Sequence, residues 1–556
     1  MPPSADPAKL GRTLVPAVVV RGTRGAVASP HALATQAGIW TLRARGTAVD
    51  AAIATNAALA VVTSYMCGLG GDAFWLIWTP TGGLEALNGS GRSAGGATLQ
   101  AARTAGFTTM PARGRWTVTV PGAVRSWGDA HERHGRLPWH ELFGPAIELA
   151  DGFPASPAWC AAVERAARIF GADSDWARVF RPRRRPWQTG ELVRLPTLAG
   201  TLRRLALEGP GDAYEGDLGR RAADYLESAG SLLRADDLAR HASTWDLPLR
   251  ATYRGVETTS HPPNSSGAVA LQLLQVLEQL DPPSPAAFGP QGVTDVRWVH
   301  LVVEAARLAI RDRDTYLTDP DAIPAGTLIE ILGRGHAAVL AARIDPARAL
   351  ALAPSTTPRG GGTVYLATAD ASGMAVSLIQ SNYAGFGSGL VDPQTGIAYQ
   401  NRGAFFSLDP AHANVLAPRK RTMHTLTPGM LFRDGRPWIV HGSMGGEIQP
   451  QVFAQFVSSV VDGGRPIEDG VAAPRFVADA DTHGAPRELT RLEGGMLPAV
   501  GDALAAMGHA VAWVPPLSSE LGHEHAVEIL YRPHTDLPVS FAATADPRSE
   551  GLPGAW

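Results

Sequence analysis

The stretch Gly360-Gly361-Gly362-Thr363-Val364-Tyr365-Leu366-Ala367-Thr368-Ala369-Asp370 joins a linker-like segment to a strand-like one, and it is the most informative part of the sequence for the fold. Residues 341–362 are rich in Ala, Pro, Thr and Arg, a composition typical of an exposed, mobile connector. From Thr363 the periodicity changes to two, which predicts a strand over 363–370, a short turn, and a returning strand over 374–380. The sequence therefore predicts that a linker ends and a β-hairpin begins at Thr363.

A threonine that follows three glycines has the chemistry that self-cleavage requires. Glycine allows backbone geometries that other residues disfavour, and an attack of the Thr363 hydroxyl on the preceding carbonyl needs that freedom. Once the 362–363 bond is cut, the free α-amine of Thr363 has a reference pKa of roughly 7.7–8.0. Such an amine can accept the hydroxyl proton, so one residue supplies nucleophile and base. On local sequence alone, such a Gly-Thr junction is usually just the end of a loop.

Elsewhere the pattern is helical in the first half and rich in strands in the second. Amphipathic or apolar helical spacing predicts helices over 32–62, 268–280 and 293–312. Strand formers and alternation predict strands over 73–78, 84–87, 251–261, 429–433, 438–441 and 526–531. No internal repeat interrupts this order.

Composition excludes several classes of function. The chain has 556 residues, with 45% hydrophobic and 18% charged residues, which is ordinary for a globular protein. A net charge of -3 gives no general attraction to nucleic acid or to anionic membranes. Two cysteines, Cys67 and Cys160, are too few for a disulfide framework. The N-terminus lacks a signal-peptide pattern, and no apolar run is long enough to span a bilayer, so we expect a cytoplasmic protein.

Ordered motifs along the chain carry a resemblance to a known family. They include Gly25-Ala26-Val27-Ala28-Ser29-Pro30-His31, Gly68-Leu69-Gly70-Gly71, Pro262-Pro263-Asn264-Ser265-Ser266-Gly267, Phe386-Gly387-Ser388-Gly389, Gly442-Ser443-Met444-Gly445-Gly446 and Asp546-Pro547-Arg548. Together they resemble the γ-glutamyltransferase family of N-terminal nucleophile hydrolases, from about residue 25 to Arg548. The sequence is also similar to the cephalosporin-acylase branch of that family.

The resemblance implies an α+β fold, a four-layer αββα sandwich of two stacked antiparallel sheets with helices outside. It implies one domain over 25–548, divided by self-cleavage into a large fragment, 1–362, and a small catalytic fragment, 363–556. The two fragments would share one core and remain together as a heterodimer. The resemblance leaves open a homodimer of such heterodimers.

The resemblance also assigns the reacting groups. Thr363 would be the nucleophile, and Ser381 aligns with a hydroxyl residue that orients it. Gly445 and Gly446 match the pair whose backbone N–H groups hold the oxyanion, each donor contributing roughly 2.7–4 kcal/mol. An acyl-threonine ester would then pass to water or to an acceptor amine. The reaction requires no metal and no cofactor.

The predicted substrate pocket departs from the family pattern. The resemblance places substrate contacts at Arg92, Asn382, Tyr383, Arg402, His424 and Thr425. Phe405 occupies the position of the acidic residue that holds the α-ammonium of a γ-glutamyl group. An apolar ring cannot pair with a buried ammonium, and Arg402 in the same stretch would repel it. The shorter segment 407–419 further implies that a covering lid is absent.

These departures favour a small amide or peptide substrate that is glutaryl-like, bearing a carboxylate and no free amine, over a simple γ-glutamyl donor. Two alternatives stay open at this point. One is a relative from secondary metabolism that uses the same threonine on another bond, including a carbon–carbon bond beside a carbonyl. The other is a binding scaffold without catalysis.

Overall fold

A computed structural model describes residues 17–352, 361–480, 488–533, 535 and 537–556. In chain order the strands are β1 (Val19–Gly22), β2 (Gly25–Ala28), β3 (Asp72–Thr79), β4 (Gly83–Gly89), β5 (Phe153–Pro154), β6 (Leu192–Val193), β7 (Thr244–Asp246), β8 (Leu249–Tyr253), β9 (Val256–Ser260), β10 (Phe288–Gly289), β11 (Gly292–Val293), β12 (Gly362–Asp370), β13 (Ala375–Tyr383), β14 (Pro428–Arg433), β15 (Arg436–Met444), β16 (Phe476–Ala480), β17 (Glu488–Glu493), β18 (Val511–Val514), β19 (His523–Tyr531), β20 (Pro538–Ala545) and β21 (Gly554–Ala555).

The α-helices lie mostly before the β12–β13 hairpin. In chain order they are α1 (Ala32–Arg43), α2 (Ala48–Val62), α3 (Leu99–Thr104), α4 (Ala123–His134), α5 (Gly144–Asp151), α6 (Pro157–Phe170), α7 (Asp175–Phe180), α8 (Pro196–Glu208), α9 (Asp217–Ser228), α10 (Ala235–Ala239), α11 (Gly267–Glu278), α12 (Val296–Tyr316), α13 (Thr327–Ile331), α14 (Arg334–Arg343), α15 (Gln449–Val461), α16 (Ile467–Ala472) and α17 (Pro498–Ala506). Among the described residues, none of these helices is both long and apolar enough to cross a bilayer.

Two seven-stranded antiparallel sheets form the centre of the molecule. Sheet I has the order β21-β2-β12-β13-β3-β4-β7, and sheet II has the order β1-β20-β19-β15-β14-β9-β8. Each sheet contains strands from before and after Thr363, because β12 pairs with β2 and β14 pairs with β9. The two parts of the chain therefore build both sheets together.

The sheets stack face to face and helices cover their outer faces. Phe74 and Tyr365 of sheet I pack with Met430, Val440 and Phe541 of sheet II in one apolar layer. Helices α1 and α2 lie against sheet I, while α11 and α15 lie against sheet II. All residues of α2 are buried, as expected for a helix between a sheet and a further helical layer. The predicted four-layer αββα sandwich is confirmed.

Three local predictions differ from the structure. The predicted helix over 32–62 is two helices, because Arg45 has φ +71° and the Thr47–Asp50 capping box starts α2. The predicted strand over 251–261 is the hairpin β8–β9, which turns at Arg254 and Gly255 with positive φ. The first residues of the predicted connector 341–362 complete α14, and residues 353–360 lie outside the described part of the chain.

Candidate active site

The site is built on a row of three residues across neighbouring strands of sheet I. Thr363 on β12 lies opposite Ser381 on β13, and Ser381 lies opposite Asp72 on β3. Residues that pair across a sheet share one face, so these polar side chains point the same way. All three are buried. The row therefore brings the hydroxyl of the predicted nucleophile, a second hydroxyl and a carboxyl to one end of the sheet.

The Ser381 hydroxyl is the centre of the hydrogen bonding around Thr363. The Thr363 hydroxyl donates to Ser381 Oγ over 3.1 Å, and Ser381 Oγ donates to the Gly362 carbonyl over 2.7 Å. The Tyr383 amide donates to the same Oγ over 2.7 Å. That bond holds Tyr383 at φ +70°, a backbone conformation that a bulky residue adopts only under local constraint. One side chain thus contacts both sides of the predicted cleavage bond.

Gly445 and Gly446 lie where β15 of sheet II passes into a helix. A short 3₁₀ turn, Gly446–Ile448, leads directly into α15, so the backbone here forms a helix N-terminus. Free N–H groups and the helix dipole at such an end favour a negative oxygen. A side-chain carbon added to Gly361 would lie only 2.8 Å from the Gly446 amide nitrogen. Gly361, the residue before the Gly362–Thr363 pair, therefore lies against the backbone of Gly445 and Gly446.

Arg402 supplies a buried cation next to the hydroxyl row. It lies in the 3₁₀ helix Arg402–Phe405, and its guanidinium donates to Ser381 Oγ over 3.1 Å and to Thr425 Oγ1 over 3.3 Å. The ring centres of Tyr383 and Phe405 lie 4.8 and 5.4 Å, respectively, from the guanidinium carbon. Burial lowers the pKa of Arg402 to about 10, so the side chain stays protonated at neutral pH.

The loop that carries His424 and Thr425 is fixed by the Asn264-Ser265-Ser266 motif. The His424 amide donates to the Asn264 carbonyl over 2.7 Å, and Ser266 Oγ donates to the His424 carbonyl over 2.7 Å. His424 Nε2 lies 3.5 Å from Asp72 Oδ2. Burial, with the charge of Arg402, holds the pKa of His424 well below its ordinary value. The imidazole is therefore neutral at neutral pH.

Comparison with known proteins places these observations in a family. The sequence model described as gamma-glutamyltranspeptidase matches residues 34–556. The chain belongs to the gamma-glutamyltranspeptidase family. The predicted resemblance is thus confirmed, and so is the expectation of an enzyme, a γ-glutamyltransferase- or hydrolase-like member of the N-terminal nucleophile hydrolases.

Individual members of the gamma-glutamyltranspeptidase family resemble the chain over nearly its whole length. The glutathione hydrolase-like YwrD proenzyme of Bacillus subtilis (strain 168) is 37% identical over 535 residues, 96% of this chain and 98% of that one. The oxamate amidohydrolase proenzyme of Klebsiella pneumoniae subsp. pneumoniae is 37% identical over 551 residues, 96% and 99% of the two chains. The crystal structure of cephalosporin acylase from Bacillus halodurans superposes with a TM-score of 0.88 at 36% identity, covering 97% of both chains.

Two of the residues predicted from the family pattern make their described side-chain contacts with groups other than Thr363 and Ser381. The Arg92 guanidinium pairs with Asp319 over 2.8 Å and with Asp321 over 3.0 Å. The Asn382 side chain points toward the glycine loop before β3, since a carbon added to Gly71 would lie 2.6 Å from its Oδ1. Alternation along β13 explains this direction, because Asn382 faces away from its neighbour Ser381.

Asp72 is the site residue that sequence reasoning did not identify. It directly follows the Gly68-Leu69-Gly70-Gly71 motif, and a carboxylate at the start of an otherwise apolar strand was the available signal. Its Oδ1 accepts from the Gly91 and Gly122 amides at 3.2 and 3.3 Å. Burial nevertheless raises the pKa of Asp72 to about 7, with Arg402 and these amides opposing the rise.

The raised pKa of Asp72 predicts a pH-dependent contribution to stability. The folded state holds the Asp72 proton more tightly than the unfolded chain does. Protonation of Asp72 therefore stabilises the fold at low pH, and this stabilisation is lost as the pH rises through 7. Asp72→Asn removes the titration. We define the Tm difference as the Tm of Asp72→Asn minus that of wild type. When the pH is raised from 5.5 to 8.5, we expect this difference to increase by about 1–2 °C. Thermal melts of both proteins in the same state of chain cleavage measure the difference, and a constant difference would contradict the assignment.

Metal-ligand side chains also meet at one place in the described residues, on α12 and after α17. Suitable atoms of His300, Glu304 and His509 lie within 4.8 Å of one another. Each is already hydrogen bonded: His300 Nδ1 to His509 Nε2 at 2.8 Å, and Glu304 to Arg307 at 2.6 Å. His300 Nε2 also contacts the Asp345 carbonyl at 2.8 Å. We interpret this network as a structural connection between α12, the segment that follows α14 and the C-terminal part of the chain.

Proposed function

We propose that the chain cuts itself between Gly362 and Thr363 and then acts as an amidohydrolase or acyltransferase with Thr363 as nucleophile. The observation that carries this proposal is the Ser381 hydroxyl, which accepts from Thr363 Oγ1 and donates to the Gly362 carbonyl. The Ser381 oxygen thus connects the Thr363 hydroxyl with the Gly362 carbonyl that this hydroxyl would attack. The fragments would be 1–362 and 363–556, held together by the two sheets that they share.

Self-cleavage follows from this geometry. Thr363 Oγ1 bonds to the Gly362 carbonyl carbon while its proton passes to Ser381, which donates its own proton to the carbonyl oxygen. The intermediate collapses, the C–N bond breaks, and the Thr363 nitrogen takes up the proton, leaving an ester. Water then splits the ester into a Gly362 carboxylate and a Thr363 with a free hydroxyl and amine. Because Gly361 lies against the backbone of Gly445 and Gly446, we assign these two glycines to stabilisation of the developing oxyanion.

Turnover repeats the same bond changes on a substrate amide. The free amine of Thr363 accepts the hydroxyl proton, Oγ1 attacks the amide carbonyl, and the proton then passes to the leaving amine. The acyl group remains on Thr363 as an ester, and Gly445 and Gly446 stabilise the tetrahedral oxyanion. Water, or an acceptor amine, takes the acyl group and restores the hydroxyl. Ser381 keeps the Thr363 oxygen in position through both steps.

We further propose that the acyl group bears a carboxylate and lacks a free amine. Phe405 stands where a γ-glutamyl ammonium would need an acidic partner, and it is packed in an apolar cluster with Tyr383 and Met423. The adjacent Arg402 is positively charged and fully buried. An ammonium in this environment would be desolvated beside a like charge, whereas a carboxylate would be attracted. The name of the oxamate amidohydrolase relative, an enzyme for a carboxylate-bearing amide, agrees with this choice.

The test compares chromogenic anilides of γ-glutamic acid and of glutaric acid. The two donors differ only in the α-ammonium group, so their ratio isolates its effect. We expect the glutaryl compound to have the higher kcat/KM, by about tenfold or more, because a buried unpaired charge costs several kcal/mol. A clear preference for the γ-glutamyl compound would overturn the proposed acyl class while leaving Thr363 as the nucleophile untouched.

A further inference from the structure

Glu447 places a carboxyl group next to the predicted oxyanion donors. It directly follows Gly446, in the first turn of the 3₁₀ segment that leads into α15, and its side chain is buried. The N-terminus of a helix favours negative charge, so a carboxylate here is stabilised by the same dipole that would stabilise an oxyanion. The two negative groups would therefore compete for one positive helix end.

Arg313 on α12 is the partner that balances the Glu447 carboxylate. Its Nη1 donates to Glu447 Oε2, and the two side chains have only 2% and 5% of their surface exposed. Within the described residues, the other carboxylate oxygen, Glu447 Oε1, is buried without a hydrogen-bond partner. A buried charge without an opposite partner is costly, so the ionised form of Glu447 depends on Arg313.

The same guanidinium also holds a second carboxylate. Its Nε and Nη2 donate to Asp314 Oδ1 at 2.9 and 2.6 Å. Asp314 is the more exposed of the two acids, with 24% of its side-chain surface accessible, so water and salt screen its charge better than that of Glu447. Removal of Arg313 would consequently leave the less screened of the two charges at Glu447, inside the protein and beside the oxyanion turn.

The ion pair also joins the two proposed fragments. Arg313 lies near the C-terminal end of α12, in the proposed large fragment, and Glu447 lies in the small one. A second pair of this kind holds the opposite end of α15, where Arg254 Nε donates to Asp462 Oδ1 over 3.2 Å. Both pairs fix α15 to the large fragment, and of the two the Arg313–Glu447 pair lies at the end that carries the predicted oxyanion donors.

We propose that Arg313 is a positioning residue for the reaction: by neutralising Glu447, it keeps the helix end at Gly445 and Gly446 able to receive an oxyanion. The inference rests on the proposed function and adds to it a residue that acts through another residue. No proton or bond passes through the ion pair. With Arg313 present, the oxyanion forms beside a neutral pair, whereas without it the oxyanion forms beside a like charge in a place with little water.

The experiment compares Arg313→Gln, Glu447→Gln and the double variant on the chromogenic anilide that the wild type hydrolyses faster. In Arg313→Gln we expect kcat to fall on the order of 10- to 100-fold and KM to change less than about threefold, because the lost stabilisation is that of the transition state. Chain cleavage should slow in the same variant. Kinetics are measured on the fully cut fraction, so the two effects are recorded separately.

The two sides of the ion pair distinguish a charge effect from a structural one. Both single substitutions break the same pair, so a merely structural role would lower kcat equally in each. We expect instead that kcat of Glu447→Gln exceeds that of Arg313→Gln by about tenfold or more, and that the double variant regains the level of Glu447→Gln. Equal losses in the two single variants, or a double variant no better than Arg313→Gln, would overturn the inference.

Arg254→Gln is the matched control, because Arg254 also pairs across the two parts of the chain and holds the other end of α15. The substitution should lower the Tm but leave kcat within a few-fold of wild type. A loss of kcat as large as that in Arg313→Gln would mean that anchoring of α15 alone explains the effect, and the inference would be wrong.

The double variant decides if Arg313→Gln does not fold, since it carries no unpaired carboxylate at position 447. A kcat equal to that of Glu447→Gln supports the inference, because Arg313 then matters only through Glu447. A further loss of about tenfold in the double variant overturns it. A wild type that is neither cut nor active on either anilide would count instead against the proposed function.

Discussion

Thr363→Ala is expected to remain one chain of 58.4 kDa and to lose amide hydrolysis by about 10⁴-fold or more. Removing the hydroxyl deletes the atom that we propose attacks Gly362 and, later, the substrate. Ser381 keeps its other contacts to the Gly362 carbonyl and the Tyr383 amide, so the fold itself should be preserved. Intact-mass measurement of purified wild type and variant, with activity assays on both, tests cleavage and catalysis together.

Thr363→Ser is the matched control for that experiment. Serine keeps the hydroxyl and loses only a methyl group, so it should still be cut and should retain measurable activity. If the alanine variant were cut at the same bond, or stayed active, self-cleavage by Thr363 would be refuted. If neither variant nor wild type were cut, the proposed maturation would be wrong although the fold would stand.

Ser381→Ala is expected to have the second largest effect. The change removes the acceptor of the Thr363 hydroxyl and the donor to the Gly362 carbonyl, so the proposed nucleophile is no longer held in place. Misplacement of a reacting group by about 1 Å lowers kcat by about 10²-fold, and it should slow chain cleavage as well. A time course of cleavage on denaturing gels, followed by kinetics on the fully cut fraction, separates the two effects.

Ser377→Ala tests whether any buried serine of β13 would behave similarly. Ser377 lies on the same strand, is also buried, and bonds to the Tyr365 hydroxyl at 2.9 Å and the Gly429 amide at 3.1 Å. It has no described contact with Thr363, so cleavage and kcat should match wild type within a few-fold. Equal losses in both serine variants would mean that Ser381 acts through stability alone.

Local sequence patterns were sufficient to predict the helices and strands that carry the site. The β12–β13 hairpin, α11 and the strands β3 and β14 follow from periodicity and turn residues, and the structure contains them within a few residues of the predicted bounds. The break between α1 and α2 was missed because Arg45 adopts a positive φ that its side chain gives no reason to expect. Likewise, β8 and β9 were predicted as one strand because the turn between them is only Arg254 and Gly255.

The sequence did not predict the contacts between segments that are far apart along the chain. Asp72 joins the row with Ser381 only through the register of β3 against β13, and no local pattern encodes that register. Arg402 was predicted as a pocket residue from the family pattern, but its bond to Ser381 depends on how a 3₁₀ turn packs on sheet I. The Arg92 ion pairs with Asp319 and Asp321 likewise join segments far apart in the chain.

The interleaving of the two sheets bears on whether the chain folds before or after the proposed cleavage. Strand β12 inserts between β2 and β13, while β20 inserts between β1 and β19, so each half would expose long unpaired strand edges if it were made on its own. Such edges pair readily with other chains. Two separately synthesised halves should therefore aggregate, and we expect the proposed cleavage to follow folding of the intact polypeptide.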